Sequence, residues 1–250
     1  MRLTDKSRWS QRHAVDEQAL RRIRAREEWM DVIAGSIPQV PLDVLELGCS
    51  PGTLSAALMA GTPWNAFGID YSDDADEFVK AFERIGKTAT LYKGDIFDTP
   101  IDRQFDVVCS FGLIEHFRGR ELDELLEIHH NYVRPGGYVI ILLPNFTGYQ
   151  YFWHYIFDRP DLDNHNVGVM NPGTFRLFEE LGYKTIFKDF NGVLRVWGNS
   201  GWLGTWFTGK AVAALAHMVS GGAKLLSKVG LKLSGRSFAP YLLFIGQRPS

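Results

Sequence analysis

The sequence predicts an α/β fold: a mostly parallel, Rossmann-like sheet with helices on both faces. Three observations predict it. From Leu42 onward, short apolar runs alternate with helical stretches, the pattern of βαβ units. A glycine-bearing turn, Gly48-Cys49-Ser50-Pro51-Gly52, follows the first run. Acids close the second and third runs, at Asp70 and Asp95, where an open parallel sheet collects its ligands.

The elements follow in order. Residues 8–35 read as a helix, because Trp9, Ala14, Leu20, Ile23, Trp29, Val32 and Ile33 recur at helical intervals between charges. Pro38 and Pro41 end it. Val44–Leu47, Ala66–Ile69, Thr90–Tyr92, Phe105–Cys109 and Tyr138–Leu143 are rich in Val, Ile, Leu or aromatics and suit buried strands. Thr53–Ala60, Ala75–Ile85 and Glu121–Val133 lie between them and suit helices. Asn171-Pro172 reads as a cap followed by proline at the first helical position, opening a helix over Gly173–Leu181. Two late strands lie near Lys184–Trp197 and Phe238–Gly246. The organisation expected is an N-terminal helical cap over 1–40, a sheet domain over 41–197 and 237–250, and an insert over 198–236.

Composition narrows the class. The chain has 250 residues, 45% hydrophobic and 22% charged, an ordinary globular balance. A net charge of −2 argues against a uniformly basic nucleic-acid binder. Cys49 and Cys109 are too few for a disulfide framework and are expected to be reduced packing residues. Residues 1–30 carry charges throughout and no apolar secretory core, so a cytoplasmic protein is expected.

The turns after the strands carry the chemistry. Gly48 and Gly52 allow a tight turn and close approach of a ligand, and the helix after them offers free N–H groups. Asp70 stands 22 residues past Gly48, where an acid suits two ribose hydroxyls. Gly94-Asp95-Ile96-Phe97 sets an acid beside apolar residues, which suits an adenine edge. Nicotinamide dinucleotides compete for such a site, but their G-x-G-x-x-G fingerprint meets Ser50 and Thr53 at its second and third glycines. Glu46, two residues before Gly48, would repel a pyrophosphate and could accept from an ammonium group.

This ordered set resembles class I S-adenosylmethionine-dependent methyltransferases, and especially the small-molecule branch with the ubiquinone-biosynthesis enzymes. The resemblance runs over residues 40–190. Val44-Leu45-Glu46-Leu47-Gly48-Cys49-Ser50-Pro51-Gly52 looks like the first motif, and Asp70 stands at the ribose-binding acid. Phe105-Asp106-Val107-Val108-Cys109-Ser110 with Ile114-Glu115-His116 is similar to the fourth strand and its turn. Arg134-Pro135-Gly136-Gly137, and His165 before the helix ending in Leu181-Gly182-Tyr183, match later segments. The resemblance implies a seven-stranded sheet with an antiparallel last strand, S-adenosylmethionine as cofactor, and Glu46, Gly48, Ser50, Gly52, Asp70, Tyr71, Asp95, Ile96 and Ser110 at the cofactor. It departs from the family where Gly198 to Ser237 separate the last two strands. A non-catalytic cofactor-binding module on the same fold is the alternative from another class.

Methyl transfer needs alignment and removal of a proton from the acceptor, and histidine suits the second task. His116, His165 and His154 are the candidates, with Glu115 beside them; His129 and His130 lie on a helix and read as scaffold. Phe146 to Phe157 hold seven aromatics in twelve residues. This segment follows the fifth strand and should overhang the acceptor, with Tyr149, Tyr151 and Trp153 as contacts for a flat, apolar or lipid-linked molecule. O-methylation of an aromatic, quinone or sugar acceptor is expected. The spacing of Asp158, Asp161 and Asp163 does not point to a carboxylate cluster, and no metal is expected.

The insert is different in kind. Lys224, Lys228 and Lys232 fall four apart, Leu225, Leu226 and Val229 lie off that face, and Trp202, Trp206 and Phe207 precede them. Gly221-Gly222 should break the helix. A basic amphipathic segment with tryptophans suits a membrane surface; a cap over the pocket or an oligomer contact is the other reading. Residues 190–250 hold seven basic side chains and no acid, so the other 189 residues hold 20 basic against 29 acidic. The near-neutral total is a cancellation.

Overall fold

The computed structural model describes residues 27–196 and 206–250; of residues 206–210 it describes the backbone alone. Expectations that fall on residues 1–26 and 197–205, including most of the first helix and Trp202, lie outside the described residues.

The elements are α1 (Glu28–Ser36), β1 (Asp43–Leu47), α2 (Thr53–Met59), β2 (Asn65–Asp70), α3 (Glu77–Glu83), β3 (Ala89–Lys93), β4 (Phe105–Phe111), α4 (Arg120–Tyr132), β5 (Val133–Pro144), α5 (Tyr149–Phe157), α6 (Arg159–Asp163), α7 (Arg176–Glu180), β6 (Lys184–Asn191), α8 (Trp206–Lys228) and β7 (Tyr241–Gln247). They build one seven-stranded sheet in the order β3-β2-β1-β4-β5-β7-β6. β1 to β5 pair in parallel, and β7 enters antiparallel between β5 and β6.

Alternation along the central strands feeds two cores. Val44, Val107, Cys109, Ile140, Leu142, Leu243 and Ile245 face α1, α2 and α3, where Trp29, Ile33, Met59, Phe78 and Phe82 meet them. Leu45, Leu47, Val108, Val139, Ile141, Leu242 and Phe244 face α4 and α7, with Leu125, Phe175 and Phe178. Burial on both faces explains why these strands read as continuous apolar runs.

Gly68 in β2 shows how tightly the first face is filled. A Cβ there would stand 2.5 Å from Cys49 Sγ and 2.8 Å from Phe78 Cε1. Both cysteines are buried and reduced.

Several expectations are corrected. β6 stops at Asn191 rather than running to Trp197. The segment over 173–181 begins as a 3₁₀ turn, Pro172–Phe175, with α7 only after it. Its cap forms as expected: the Asn171 side chain accepts from the Gly173 N–H at 2.9 Å. α8 runs unbroken through Gly221-Gly222, because neither glycine needs a left-handed conformation and the flanking turns pack. Lys232 falls beyond its end, so the expected stripe of three lysines reduces to Lys224 and Lys228 on the helix.

Gly68→Ala should destabilise the fold by roughly 1–3 kcal/mol, the usual cost of overpacking. Urea denaturation measures it, and adding Cys49→Ala, which removes the nearer clash, should recover part of the loss.

Candidate functional site

The carboxyl ends of β1, β2, β4 and β5 converge on one edge. The turn after β1 is pinned there: the N–H groups of Gly48 and Cys49 both donate to the Ile69 carbonyl, at 2.9 and 3.3 Å. Gly48 takes φ +68°, so conformation requires glycine, and a Cβ on it would stand 2.7 Å from Leu113 Cδ1 and displace that side chain. The next residue of the turn, Ser50, donates its N–H to Asp70 Oδ2 at 3.0 Å and its hydroxyl to the Asp74 carbonyl at 3.3 Å. Asp70 Oδ1 accepts the Ser72 N–H at 2.8 Å.

This edge contains unsatisfied polar atoms. The Ser72 hydroxyl and both carboxylate oxygens of Asp74 are buried without a hydrogen-bond partner. Buried polar atoms are normally satisfied, so a polar ligand rich in hydroxyls fits here. Ser72 and Asp74 escaped sequence reasoning; the density of short polar residues in Tyr71-Ser72-Asp73-Asp74 is the signal that could have found them. Tyr71 is half-buried. Asp95 Oδ1 accepts the Phe97 N–H at 3.1 Å, and Ile96 is buried beside it.

Glu46 is buried and accepts a hydrogen bond from the Ser55 hydroxyl of α2. Burial pushes its carboxyl up to about 8, and the neighbouring Asp70 charge adds to that, against the lowering effect of Ser55. Ser110 lies elsewhere than expected. It is fully buried, and its hydroxyl donates to His129 Nε2 at 2.9 Å, while His129 Nδ1 donates to the Leu125 carbonyl at 2.7 Å. Ser110 therefore fastens α4 to β4. It shares the parity of Val108 along β4, which turns it toward that helix, and His129 is scaffold, held neutral by burial that lowers it to about 4.

A cavity of about 210 Å³ opens beside this edge, over the ends of β4 and β5. Leu54, Phe111, Leu142, Pro144, Phe146 and Tyr241 form its apolar walls. Its two acids are Glu115 and Asp161. Burial pushes Glu115 up to about 8, with the Asp161 charge acting in the same direction, and Glu115 Oε2 has no hydrogen-bond partner.

The three histidine candidates gather behind this wall. His116 and His165 stack at 4.6 Å between ring centroids, and Phe146 lies 4.5 Å from His165 and 4.2 Å from His154. His116 Nδ1 donates to the Asn164 carbonyl at 3.1 Å, and His165 Nδ1 to the Asp161 carbonyl at 2.6 Å. In the neutral ring this tautomer leaves the lone pair on Nε2. His154 is lowered to about 4, mainly by burial. Two groups of three bring possible ligand atoms within 4.8 Å: Glu115, His116 and His165, and His154, Asp158 and Asp161. The second corrects the spacing argument. The helical turn from 154 to 158 and the start of α6 gather the residues, while Asp163 turns outward to Arg159 at 2.8 Å.

The aromatic segment forms α5, but its contacts differ from those expected. Tyr149, Trp153 and Phe157 share the face that packs on α8 with Val212, Ala216 and Ala223. Tyr151 is exposed and stacks on Tyr155. None of Tyr149, Tyr151 and Trp153 lines the cavity; helical spacing gives the inward face to Gln150 and His154, both buried. The aromatic that reaches the cavity is Phe146, before the helix.

Residues 44–137 match the family described as a methyltransferase domain. The match spans 94 of the chain's 250 residues, from the start of β1 into β5. Solved structures support the fold over most of its length. A SAM-dependent methyltransferase from Archaeoglobus fulgidus shares 18% identity, with 92% of this chain and 93% of that chain covered and a TM-score of 0.55. One from Geobacter sulfurreducens, in complex with S-adenosyl-L-homocysteine, shares 18% over 89% and 91% at 0.55. Another from Thiobacillus denitrificans, in the same complex, shares 15% over 88% and 90% at 0.52. At these identities the likeness is one of fold. No curated protein matches the chain.

Glu46 gives the fold a measurable pH signature. Below about 4.5 the carboxyl is protonated in both folded and unfolded chains; between there and about 8 only the folded chain keeps the proton. Stability should therefore fall as pH rises across this window, with a limiting slope of about 1.4 kcal/mol per pH unit. Glu46→Gln, which keeps an acceptor for Ser55, should lack this component. Chemical denaturation at pH 5, 6.5 and 8 measures the difference, which should grow with pH.

Proposed function

We propose that this methyltransferase uses S-adenosylmethionine to methylate an oxygen of a small or lipid-linked acceptor with a flat apolar body. The cavity over β4 and β5 is the observation that carries this reading: apolar walls, two acids, and the Asp70 edge beside it. S-adenosylmethionine supplies a methyl group already activated on a sulfonium. The chain's residues hold and align the reactants.

Asp70, with its carboxylate fixed by the Ser50 and Ser72 amides, binds the ribose hydroxyls, and the unsatisfied Ser72 and Asp74 atoms extend the same surface. Ile96 and Phe97 offer the apolar contact for adenine, and Glu46 receives the ammonium group. At the cavity, Glu115 accepts from the acceptor hydroxyl and turns its oxygen lone pair toward the methyl. A protonated Glu115 keeps a carbonyl oxygen that accepts from a hydroxyl, so the wall suits an oxygen acceptor. Phe111, Leu142 and Phe146 exclude water around it.

A second reading concerns α8. Met218, Leu225, Leu226, Val229 and Leu231 are exposed, with Lys224, Lys228 and Lys232 among them. On α5, Phe152, Tyr155 and Ile156 are exposed as well. This surface supports contact with an anionic membrane face, and among the described residues no helix is long and apolar enough to cross a membrane.

S-adenosylhomocysteine should bind in calorimetry, and Asp70→Ala should weaken it at least tenfold; no binding at submillimolar ligand overturns the reading. Methyl transfer to a panel of phenols and quinols separates an enzyme from a binding module, which would bind cofactor without turnover. The protein should float with anionic liposomes, and Leu225→Glu with Val229→Glu should abolish this; equal flotation removes the membrane reading.

A further inference from the structure

The junction of α5 and α6 holds a group that hydrogen bonding does not explain. His154 is 1% exposed, yet neither of its ring nitrogens has a hydrogen-bond partner. Its Nδ1 stands 3.9 Å from Asp158 Oδ2 and 3.9 Å from Asp161 Oδ2. Those separations are too long for hydrogen bonds. They exceed by a few tenths of an ångström the edges of about 3.3–3.6 Å in a tetrahedral shell whose ligands each lie about 2.0–2.2 Å from a central ion, a closure that side-chain rotation can supply.

We propose that His154, Asp158 and Asp161 bind a divalent first-row metal ion of the Mn²⁺, Fe²⁺ or Zn²⁺ class. One imidazole and two carboxylates suit such borderline ions. Buried charges are stabilised when paired or metal-bound, and a dication would offset the two aspartates and satisfy Nδ1. The backbone holds the three in place: Asp158 N–H donates to the His154 carbonyl at 2.9 Å and Asp161 N–H to the Asp158 carbonyl at 3.1 Å. Phe146 packs on the imidazole at 4.2 Å and fixes its plane.

Asp161 also lines the acceptor cavity. The remaining coordination positions on that side would face the acceptor, where the ion would bind its oxygen and ease loss of its proton. This role rests on the methyl-transfer reading; binding of the ion does not. The triad of Glu115, His116 and His165 is the competing position, and its two imidazoles distinguish it.

Mn²⁺ titration of the full chain, followed by electron paramagnetic resonance, tests the site. One equivalent should bind, and pulsed measurements should detect the nitrogen of one imidazole. Asp158→Asn and Asp161→Asn should each weaken Mn²⁺ at least tenfold, while Asp163→Asn, on the outward side, should leave it unchanged. Absence of binding at millimolar Mn²⁺ overturns the proposal, as does a signal from two imidazoles. Should one aspartate variant fail to fold, the other and the imidazole count on the unaltered chain still decide. S-adenosylhomocysteine calorimetry without metal reads the cofactor site separately.

Discussion

The carbonyl of Ile69 holds the ligand edge together. It accepts from both Gly48 and Cys49, and so clamps the turn after β1 to the end of β2. That clamp sets Ser50 against Asp70 and leaves the Asp70 carboxylate held at two points. Register does the rest. Glu46 pairs with Gly68 on one side and with Cys109 on the other, so the acid of β1, the acid of β2 and the end of β4 are fixed by backbone pairing before any ligand is involved.

The acids along this edge sit in unlike surroundings. Asp70 receives backbone N–H groups. Glu46 and Glu115 lie in apolar surroundings that favour their protonated forms. Buried acids raised in this way are uncommon away from sites. Glu115 lines the cavity, and Glu46 keeps the Ser55 hydroxyl as its partner. The sheet supplies rigidity and the two buried acids supply the polarity, which is the division expected of an α/β ligand site.

The central sheet was legible because its strands are buried on both sides and therefore uniformly apolar. Gly48, Glu46 and Asp70 were legible because their positions follow from strand ends. The lid was not. Counting aromatics located α5, but Tyr149 and Trp153 went to packing, and the inward face fell to Gln150 and His154. Likewise the gathering of Asp158 and Asp161 about His154 depends on a helix ending and another beginning, which spacing alone does not reveal. Ser110 is the reverse case: its place in a familiar strand marked it as a ligand, whereas His129 had already claimed its hydroxyl.

The packing of α8 on α5 has a consequence for the cavity wall. Trp153, one residue from His154, is buried among Val212, Ala216 and Ala223, and Gln150 is tied to the Arg195 carbonyl just before the insert. α5 and the inserted helix form one mechanical piece. A methyl group gained or lost at position 216 shifts α5, and with it the buried His154 that packs on Phe146 of the cavity wall. A substitution on α8 can therefore reach that wall without altering a residue that lines it.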